Sequence, residues 1–356
     1  MDCGSTPIAA QFASMTRFGI IGLSHDHIWD VLPDLAASEN AELVAAVSLQ
    51  RPLLERIKKE YGVAIYTDAD EMAASEKIDA VLLYGNNRAG SEEGVKALER
   101  GWHVLIEKPM AADLDGANQL VQVADTTGSR LMVNWPVAWW PPLIQAMNLA
   151  QDGEIGELWQ TRYRAAHQGP KEMGASEYFC DWLYDPNRNG GGALIDYCCY
   201  GAIISRVLLG RPHSITAVAG NFVKPDLDAE DNAVLLMQYP KAIGIAEASW
   251  TQIDKFTSYS TVIYGSEGTL MAEPENLRLL LATRKHPEGK EVEVPKLESH
   301  MQNPIEHFLH GIESGETFLN ICRPGYCRDV QEILQAGTEA AANGAQVDLP
   351  QLEGMD

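Results

Sequence analysis

The chain has no long apolar run and little positive charge. No stretch approaches the roughly 20 apolar residues that a membrane-spanning helix needs. Its 27 Lys and Arg residues stand against 50 Asp and Glu residues, which gives a formal net charge of −23. Such a charge repels phosphate backbones and anionic lipid surfaces. We therefore expect neither nucleic acid nor a membrane among the main partners.

Cysteine is also scarce, with six residues in 356. Cys198 and Cys199 are adjacent, and the spacing of Cys322 and Cys327 fits no common zinc pattern. Reduced thiols in a cytoplasm are therefore the expected state. The start of the chain has neither the basic region nor the apolar stretch of a signal peptide. We expect residues 1–16 to be a disordered tail or an alternative start.

The length and the periodicity of the chain predict two domains, because 356 residues exceed what one core usually supports. Residues 17–140 alternate apolar strands with amphipathic helices, which predicts an α/β fold with a parallel, doubly wound sheet. Pro141-Pro142 marks the crossover to a second domain over 141–356, where alternating runs predict antiparallel strands. The strands predicted in the first domain are residues 17–22, 43–47, 80–83, 103–106 and 130–133, and the helices are 27–37, 53–61, 92–100 and 114–126.

The turn after the first strand lacks two of the three glycines of the dinucleotide fingerprint G-x-G-x-x-G. It reads Gly22-Leu23-Ser24-His25-Asp26-His27. Ser24 still allows a backbone to approach a pyrophosphate, whereas His27 would push the helix away from the strand. Two histidines with no nearby third ligand make a poor metal site. We therefore expect no metal, and expect His25 and His27 to line the cofactor or substrate pocket.

The end of the second strand lacks the acidic residue that binds the ribose 2′-hydroxyl of NAD. The sequence there is Val47-Ser48-Leu49-Gln50-Arg51. A carboxylate would repel a 2′-phosphate, whereas Ser48 and Arg51 would not. This pattern favours NADP over NAD. The alternative is that Arg51 is only a solvated residue in the first turn of the following helix.

The strand that ends at Ile106-Glu107-Lys108-Pro109 carries the strongest candidate for catalysis. Pro109 ends the strand because it has no N–H to donate. In open α/β sheets ligands bind outside the carboxyl ends of the strands, which is where Glu107 and Lys108 are expected. The alternative is an ordinary surface pair of opposite charges.

A second candidate pair lies on a helix predicted over Ala193–Leu209, after the turn Gly190-Gly191-Gly192. Asp196 and Tyr200 are four residues apart, so they share one helical face and can act on one substrate. A tyrosine with a pKa near 10 is a weak base at neutral pH, but a nearby ammonium such as Lys108 would favour the phenolate. The alternative is a buried, satisfied polar pair.

A long polar and aromatic segment, predicted as a loop over His167–Arg188, precedes this helix. Long loops in compact domains are usually functional or disordered, and aromatic residues argue against disorder. Aromatic faces among polar groups match the C–H patches and hydroxyl rim of a sugar ring. We therefore expect His167 and Trp182 to contact substrate, although the aromatic rings could simply cover the sheet.

Six motifs in order resemble the glucose-fructose oxidoreductase and inositol dehydrogenase family, often called Gfo/Idh/MocA. This resemblance implies an N-terminal Rossmann domain and a C-terminal α/β domain with a large open, mostly antiparallel sheet. In the family that sheet often forms the oligomer interface, which implies a homodimer or homotetramer. The motifs are RFGIIG at 17–22, Glu107-Lys108-Pro109, Gly190-Gly191-Gly192-Ala193-Leu194-Ile195-Asp196, Glu230-Asp231-Asn232, Glu247-Ala248-Ser249-Trp250 and Gly265-Ser266-Glu267-Gly268-Thr269.

The resemblance places the family's catalytic lysine at Lys108 and its Asp-x-x-x-His pair at Asp196 and Tyr200, with tyrosine in place of histidine. This change resembles the xylose and dihydrodiol dehydrogenase branches, which commonly use NADP. Two other family motifs are altered: Thr-Pro-Asn is here Gly85-Asn86-Asn87, and no arginine follows the last Rossmann strand. The residues expected to bind cofactor are Gly22, Ser24, His25, His27, Ser48, Arg51, Asn87, Glu107, Lys108 and Trp135.

Together the residues and the resemblance predict an NAD(P)-dependent dehydrogenase or reductase that acts on a secondary alcohol of a sugar, cyclitol or related polyol. Lys108 would position the hydroxyl and stabilise the developing alkoxide, Tyr200 would accept or relay the proton, and Asp196 would orient the substrate or Lys108. Two alternatives stay open. One is an NAD-dependent enzyme that cleaves glycosides by transient oxidation, and the other is a non-catalytic protein that senses dinucleotide.

Overall fold

The structure is a computed structural model that describes residues 15–273 and 276–350. The predicted tail therefore lies outside the described residues, except for its last two positions. Residues 16–134, here called the first region, alternate strand and helix. The elements are β1 (Thr16–Ile21), α1 (Ile28–Ala37), β2 (Ala41–Val47), α2 (Arg51–Tyr61), β3 (Ala64–Tyr66), α3 (Ala69–Ser75), β4 (Ala80–Leu83), α4 (Asn87–Glu99), β5 (His103–Glu107), α5 (Leu114–Thr127) and β6 (Leu131–Asn134).

The strands of the first region form one sheet in the order β3-β2-β1-β4-β5-β6, and every neighbouring pair is parallel. Strands β4 and β6 are fully buried because both faces of a doubly wound sheet are covered by helices. This confirms the predicted parallel sheet. The strand order reverses between β1 and β4, which is where such sheets open a crevice for ligands.

The sequence analysis missed β3 and α3. Strand β3 has three residues, all only partly buried, so it leaves no alternating pattern to read. Helix α3 has seven residues and is capped by Asp68, whose carboxylate accepts hydrogen bonds from the backbone nitrogens of Asp70 and Glu71. Helix α4 also starts five residues earlier than predicted. The side-chain oxygen of Asn86 accepts a hydrogen bond from the backbone nitrogen of Ala89 and so caps the helix there.

Residues 141–350, here called the second region, form a larger and mostly antiparallel sheet. The predicted domain boundary falls where α6 starts and remains a prediction. The elements are α6 (Pro141–Gln151), β7 (Leu158–Ala166), α7 (Glu177–Leu183), α8 (Pro186–Asn189), α9 (Cys199–Leu209), β8 (Ser214–Gly220), β9 (Asn232–Gln238), β10 (Ile243–Ser249), β11 (Thr261–Gly265), β12 (Gly268–Glu273), β13 (Arg278–Thr283), β14 (His286–Val292), α10 (Pro304–Ser314), α11 (Pro324–Asn343) and β15 (Val347–Asp348).

The second sheet runs in the order β14-β13-β12-β11-β7-β10-β9-β8-β15, and among the strands described only β7 and β10 pair in parallel. One face is covered, since α9 packs on β7 and β10 and α11 packs on β8. Along β9 buried and exposed residues alternate, so apolar side chains such as Val234 and Leu236 remain exposed on the other face. The sheet matches the predicted C-terminal fold.

One prediction about the segment that joins β7 to β8 was wrong and another was confirmed. The stretch predicted as a loop over 167–188 contains α7. The helix predicted over 193–209 is present and ends at Gly210, although its first part, Leu194–Cys198, is π-helical. The described segment Pro186–Leu209 also has the length and apolar composition of a membrane-crossing helix, where the sequence analysis expected none. Of its most apolar stretch, 72% is buried inside the protein, and the buried core helices of globular proteins have the same length and composition.

Candidate active site

Two openings meet at the carboxyl edge of the first sheet. The first, called the crevice, has a volume of about 260 Å³. The second, called the cavity, has a volume of about 670 Å³ and lies between the first sheet and the second region. The crevice is lined by Ile21, Gly22, Ser24, Val47, Ser48, Leu49, Gln50, Thr67, Asp68, Ala69, Gly85, Asn86, Ala89, Gly90 and Glu93. The cavity is lined by Asp26, His27, Asp30, Lys108, Pro136, Val137, Trp140, Tyr163, His167, Pro170, Met173, Gly174, Ala175, Phe179, Asp196, Tyr197, Tyr200 and Tyr259.

The crevice is built from backbone around Gly22. This glycine has φ +85°, and a Cβ placed on it would lie 2.5 Å from the backbone nitrogen of Gly85. Only glycine fits at this approach of two turns, which is what the first fingerprint glycine does in a dinucleotide site. Ser24 and Ser48 also line the crevice, so three of the predicted cofactor residues lie there. These residues therefore fit a dinucleotide at the crevice.

Arg51 and Asn87 do not line the crevice. The Arg51 side chain is 70% exposed and pairs with Glu55 on its own helix, which is the alternative role that the sequence left open. The Asn87 side chain is buried, and its Nδ2 donates to the backbone oxygen and Oδ1 of Asn189. Its neighbour Asn86 faces the crevice instead, and the sequence analysis missed it.

His25 and Trp182 line neither opening, contrary to their predicted roles. The His25 ring is buried, 4.6 Å from the ring of Phe179 and 5.6 Å from that of Trp182 between centroids. Burial lowers the pKa of His25 well below its usual value, and His27 and Lys108 lower it further. The Trp182 indole donates to the backbone oxygen of Ser24 at 3.3 Å. Both residues therefore join the first turn to α7.

A second contact fixes the same two segments. Asp26 accepts hydrogen bonds from the Ser176 backbone nitrogen at 2.7 Å and from its Oγ at 2.6 Å. The Ser176 Oγ in turn accepts from Phe179 at the start of α7. We call these contacts between 24–26 and 176–182 the interlock.

The cavity contains a buried ion pair. Lys108 Nζ lies 2.8 Å from Asp196 Oδ1 and also donates to the Asp196 backbone oxygen at 3.2 Å. The other carboxylate oxygen accepts from the Trp250 indole at 3.2 Å. Burial alone would lower the pKa of Lys108, but the Asp196 carboxylate outweighs it and raises the pKa above its usual value. Lys108 is therefore an ammonium, held at the carboxyl end of β5 as predicted.

Tyr200 lies against this pair but does not become the phenolate expected from the sequence. Lys108 Nζ lies 4.8 Å from the centroid of the Tyr200 ring, so the ammonium faces the ring. Burial raises the pKa of Tyr200 well above its usual value, and Cys199 and Tyr163 raise it further. Tyr200 is therefore a neutral phenol. The predicted cofactor residue Trp135 is buried behind it, with ring centroids 5.6 Å apart, and does not line either opening.

Three further tyrosines that the sequence analysis missed line the cavity. The hydroxyls of Tyr197 and Tyr259 lie 3.2 Å apart, and the buried Tyr163 hydroxyl has no hydrogen-bond partner among the described residues. Tyr163 is one of the inward-facing residues of β7, and Tyr259 follows a segment with no motif. Neither position therefore differs in the sequence from an ordinary core or loop residue. His167 lines the cavity as predicted. Its Nδ1 accepts from the backbone of Gly169, which leaves the proton of the neutral ring on Nε2.

Glu107 is buried behind the cavity, with His27 between them. His27 Nδ1 lies 3.0 Å from Glu107 Oε1, and Asn134 Nδ2 donates to Glu107 Oε2 at 2.7 Å. With His25, these residues bring three potential metal ligands within 4.8 Å of one another. The sequence argument that no third ligand lies near the histidines was therefore wrong. The Nδ1 atoms of both histidines have partners within the protein, since that of His25 accepts from the His27 backbone and that of His27 lies against Glu107.

Two family models match the chain and together cover more than half of it. The model described as the oxidoreductase family with an NAD-binding Rossmann fold matches residues 16–135. The model described as the GFO/IDH/MocA C-terminal domain matches residues 143–271. The nicotinamide dinucleotide expected from the sequence agrees with the first of these descriptions.

Comparison with other proteins gives the same relationship. An uncharacterized oxidoreductase of Rhizobium meliloti is 28% identical over 62% of this chain and 65% of its own length. D-xylose 1-dehydrogenase (NADP(+)) 2 of Haloferax volcanii is 26% identical over 93% of this chain and 99% of its own. Other matching proteins are named as a reductase of anhydrofructose and a dehydrogenase of scyllo-inositol.

An oxidoreductase from Agrobacterium radiobacter, solved in complex with NAD+, L-tartaric acid and magnesium, has a similar fold. The two structures superpose with a TM-score of 0.80 at 20% identity, over 94% of this chain and 98% of the other. At this identity the similarity establishes the fold alone.

Proposed function

Because this chain belongs to the Gfo/Idh/MocA family of oxidoreductases, we propose that it transfers a hydride between NAD(P) and a secondary alcohol or carbonyl of a sugar, cyclitol or related polyol. The buried pair of Lys108 and Asp196 carries this proposal. It holds a fixed ammonium in a cavity that adjoins the dinucleotide crevice. An ammonium in a water-poor site stabilises a developing alkoxide more strongly than it would in water.

The bound nicotinamide supplies the acceptor or donor of the hydride, and the residues proposed to hold the dinucleotide are those that line the crevice. Gly22 gives the close backbone approach, and Ser24 and Asn86 add polar groups beside it. At the end of β2 Ser48 bonds to Gln50 where NAD enzymes place an acid. Residues 47–51 at the end of β2 carry no carboxylate, whereas Asp68 and Glu93 line the crevice further away in the sequence. The β2 end, together with the NADP named for the Haloferax relative, supports a preference for NADP.

The residues at the cavity have separate roles in this proposal. Lys108 donates to the substrate oxygen and stabilises the alkoxide. Asp196 keeps Lys108 charged and fixes its position through two contacts, while Trp250 holds the second carboxylate oxygen. Tyr200, a neutral phenol, donates a hydrogen bond to the substrate oxygen.

A sugar or cyclitol fits the chemistry of the cavity lining. The rings of Phe179 and Trp140 offer apolar faces, and the hydroxyls of Tyr163, Tyr197 and Tyr259 offer hydrogen-bond partners. The neutral His167 presents an Nε2–H donor. The names of the related sugar and inositol dehydrogenases support the same substrate class.

We also propose that the protein is a homo-oligomer of a reducing compartment. The exposed face of the second sheet carries Val218, Val234, Leu236 and Ile243, each at least 40% exposed. Contiguous exposed apolar surface of this kind marks a contact site. The five cysteines of the described residues are all free thiols, which agrees with a cytoplasm.

The proposal is tested by cofactor binding and by turnover. Titration with NADPH and NADH, followed by tryptophan fluorescence, should show saturable binding, and a panel of aldoses and polyols beginning with D-xylose should show NAD(P)-dependent oxidation. Lys108→Met should keep cofactor affinity within a few-fold and lower kcat by about 10²–10³. Absence of binding for both dinucleotides would overturn the oxidoreductase function, and full activity of K108M would remove Lys108 from the mechanism.

A further inference from the structure

Oxidation of an alcohol needs a group that accepts the hydroxyl proton, and most polar groups of the described cavity lining cannot do so. Lys108 is an ammonium, Tyr200 is a neutral phenol, and the free nitrogen of His167 already carries a proton. Asp196 is the counter-charge of Lys108 and would leave that buried ammonium unpaired if it took a proton. Both oxygens of Asp26 are bound by Ser176, which holds this carboxylate in the interlock. The acceptors that remain are His27 and the exposed carboxylate of Asp30.

His27 has the arrangement of an activated base. Its Nδ1 lies 3.0 Å from Glu107 Oε1, and a carboxylate can only accept, so the ring carries its proton on Nδ1. The lone pair of the neutral ring is then on Nε2. The His27 side chain is 34% exposed and lines the cavity, whereas Glu107 is only 3% exposed. A buried carboxylate that fixes the tautomer of a partly exposed histidine is the pattern of acid–base dyads in hydrolases.

The carboxylate of this pair is itself held in place. Asn134 Nδ2 donates to Glu107 Oε2 at 2.7 Å, and the same amide nitrogen lies 3.1 Å from the Tyr84 hydroxyl. Glu107 therefore presents one defined oxygen to His27. A histidine that only filled the fingerprint turn would need neither the carboxylate nor its support.

We propose that His27 is the general base and acid of this enzyme, with Glu107 and Asn134 as positioning residues. The inference rests on the proposed oxidoreductase function and assigns the proton that this function leaves unassigned. His27, which stands where the fingerprint has its third glycine, thereby takes the role expected of the histidine in the family's Asp-x-x-x-His pair. In this chain that histidine position is Tyr200.

The proposed step balances as follows. The substrate O–H bond breaks as its proton bonds to His27 Nε2, and the pair of electrons of the carbinol C–H bond leaves as hydride to the oxidised cofactor. The carbinol becomes a carbonyl, and His27 becomes an imidazolium whose charge Glu107 offsets. In reduction the imidazolium returns the proton to the alkoxide.

Several charged groups surround His27 and enter its pH dependence. Glu107 contacts it from β5, and Asp26 and Asp30 lie near it in the sequence. The His25 ring packs on it, with centroids 4.5 Å apart. Lys108 lines the same cavity and is paired with Asp196. Because a histidine must be neutral to accept a proton, oxidation should lose rate on the acid side.

The test compares pH profiles of the full-length protein for the panel substrate that the wild type oxidises fastest. We expect His27→Gln to lower kcat/KM by about 10²–10⁴ and to remove the acid limb of the profile. Added imidazole should restore part of the H27Q rate, which a purely structural role would not allow. Glu107→Gln should give a similar loss, because its amide can donate to Nδ1 and so move the proton to Nε2. Asp30→Asn is the matched control and should keep the acid limb.

A second readout needs no turnover. Nitrogen-15 spectra of the imidazoles should show the neutral His27 ring protonated at Nδ1 in the wild type and at Nε2 in E107Q. A wild-type ring protonated at Nε2, an unchanged acid limb in H27Q, or its loss in D30N would each overturn the dyad. If the wild type oxidises nothing and binds neither dinucleotide, the proposed function fails, and the inference fails with it. If the wild type is active and H27Q keeps its rate, only the proposed role of His27 is wrong, and the oxidoreductase function stands.

Discussion

The crevice and the cavity meet at one sheet edge but are built in opposite ways. The crevice depends on backbone, with Gly22 at φ +85° against Gly85 and one hydrogen bond from the Ser48 hydroxyl to the Gln50 amide oxygen. The cavity depends on side chains that burial forces into defined states. Its ammonium, Lys108, is only 2% exposed, and the phenols around it are neutral.

This difference explains how the fingerprint turn can change without losing the crevice. A backbone site needs Gly22 but tolerates other side chains further along the turn, provided that they point elsewhere. Here they do so, since His25 and Asp26 join the interlock and His27 reaches Glu107. A side-chain site has no such tolerance, because removing one member of a buried pair leaves the other charge uncompensated.

The sharpest test of this contrast is Tyr200→Phe, which removes one hydroxyl from the cavity. Since Tyr200 is proposed to donate a hydrogen bond to the reacting oxygen, kcat should fall by about 10²–10³ while the affinity for NADPH stays within a few-fold. Tyr239→Phe is the matched control, because Tyr239 is equally buried but lines neither opening. Steady-state kinetics beside fluorescence titration measure both effects. An unchanged kcat in Y200F would exclude Tyr200 from the chemistry.

A smaller effect is expected from Ser48→Asp, which adds a side-chain charge to the backbone site. The carboxylate should repel a 2′-phosphate and accept from a 2′-hydroxyl, so the ratio of NADPH to NADH affinity should fall roughly tenfold or more. Ser48→Ala loses the same hydroxyl without gaining charge and should change the ratio little. Equal losses for both dinucleotides in S48D would contradict the placement of the ribose at the end of β2.

Sequence patterns predicted the features that depend on local order. The parallel strands, Gly22 and the positions of Lys108 and Asp196 follow from apolar periodicity, from a glycine before a turn and from motif resemblance. The failures share another cause. The side-chain partners of Asn87 and Trp182 lie more than a hundred residues away in the chain, and no periodicity encodes them. Arg51 differs, because it pairs with Glu55 one helical turn away, which is the solvated role that the sequence left open.

The prediction that Tyr200 is a phenolate was wrong for a related reason. The family resemblance placed Lys108 and Tyr200 at one site, and the ammonium of Lys108 does lie beside the Tyr200 ring. The direction of the pKa shift, however, depends on which atoms face each other and on burial. The ammonium faces the ring, and the desolvated hydroxyl keeps its proton. The missed roles of Tyr163 and Tyr259 also arise from tertiary structure alone.

The smallest expected effect tests the interlock that connects the two kinds of site. Ser176→Ala removes a 2.6 Å hydrogen bond to Asp26 and the cap of α7. The free energy of unfolding should fall by about 1–2 kcal/mol in denaturant titrations, and amide exchange should increase first over 176–183. Ser299→Ala, at an exposed serine outside both openings, is the control. Because Trp182 holds the backbone of Ser24, the loosened interlock should weaken NADPH binding several-fold. A destabilised variant with unaltered cofactor affinity would show that the crevice keeps its shape without the second region.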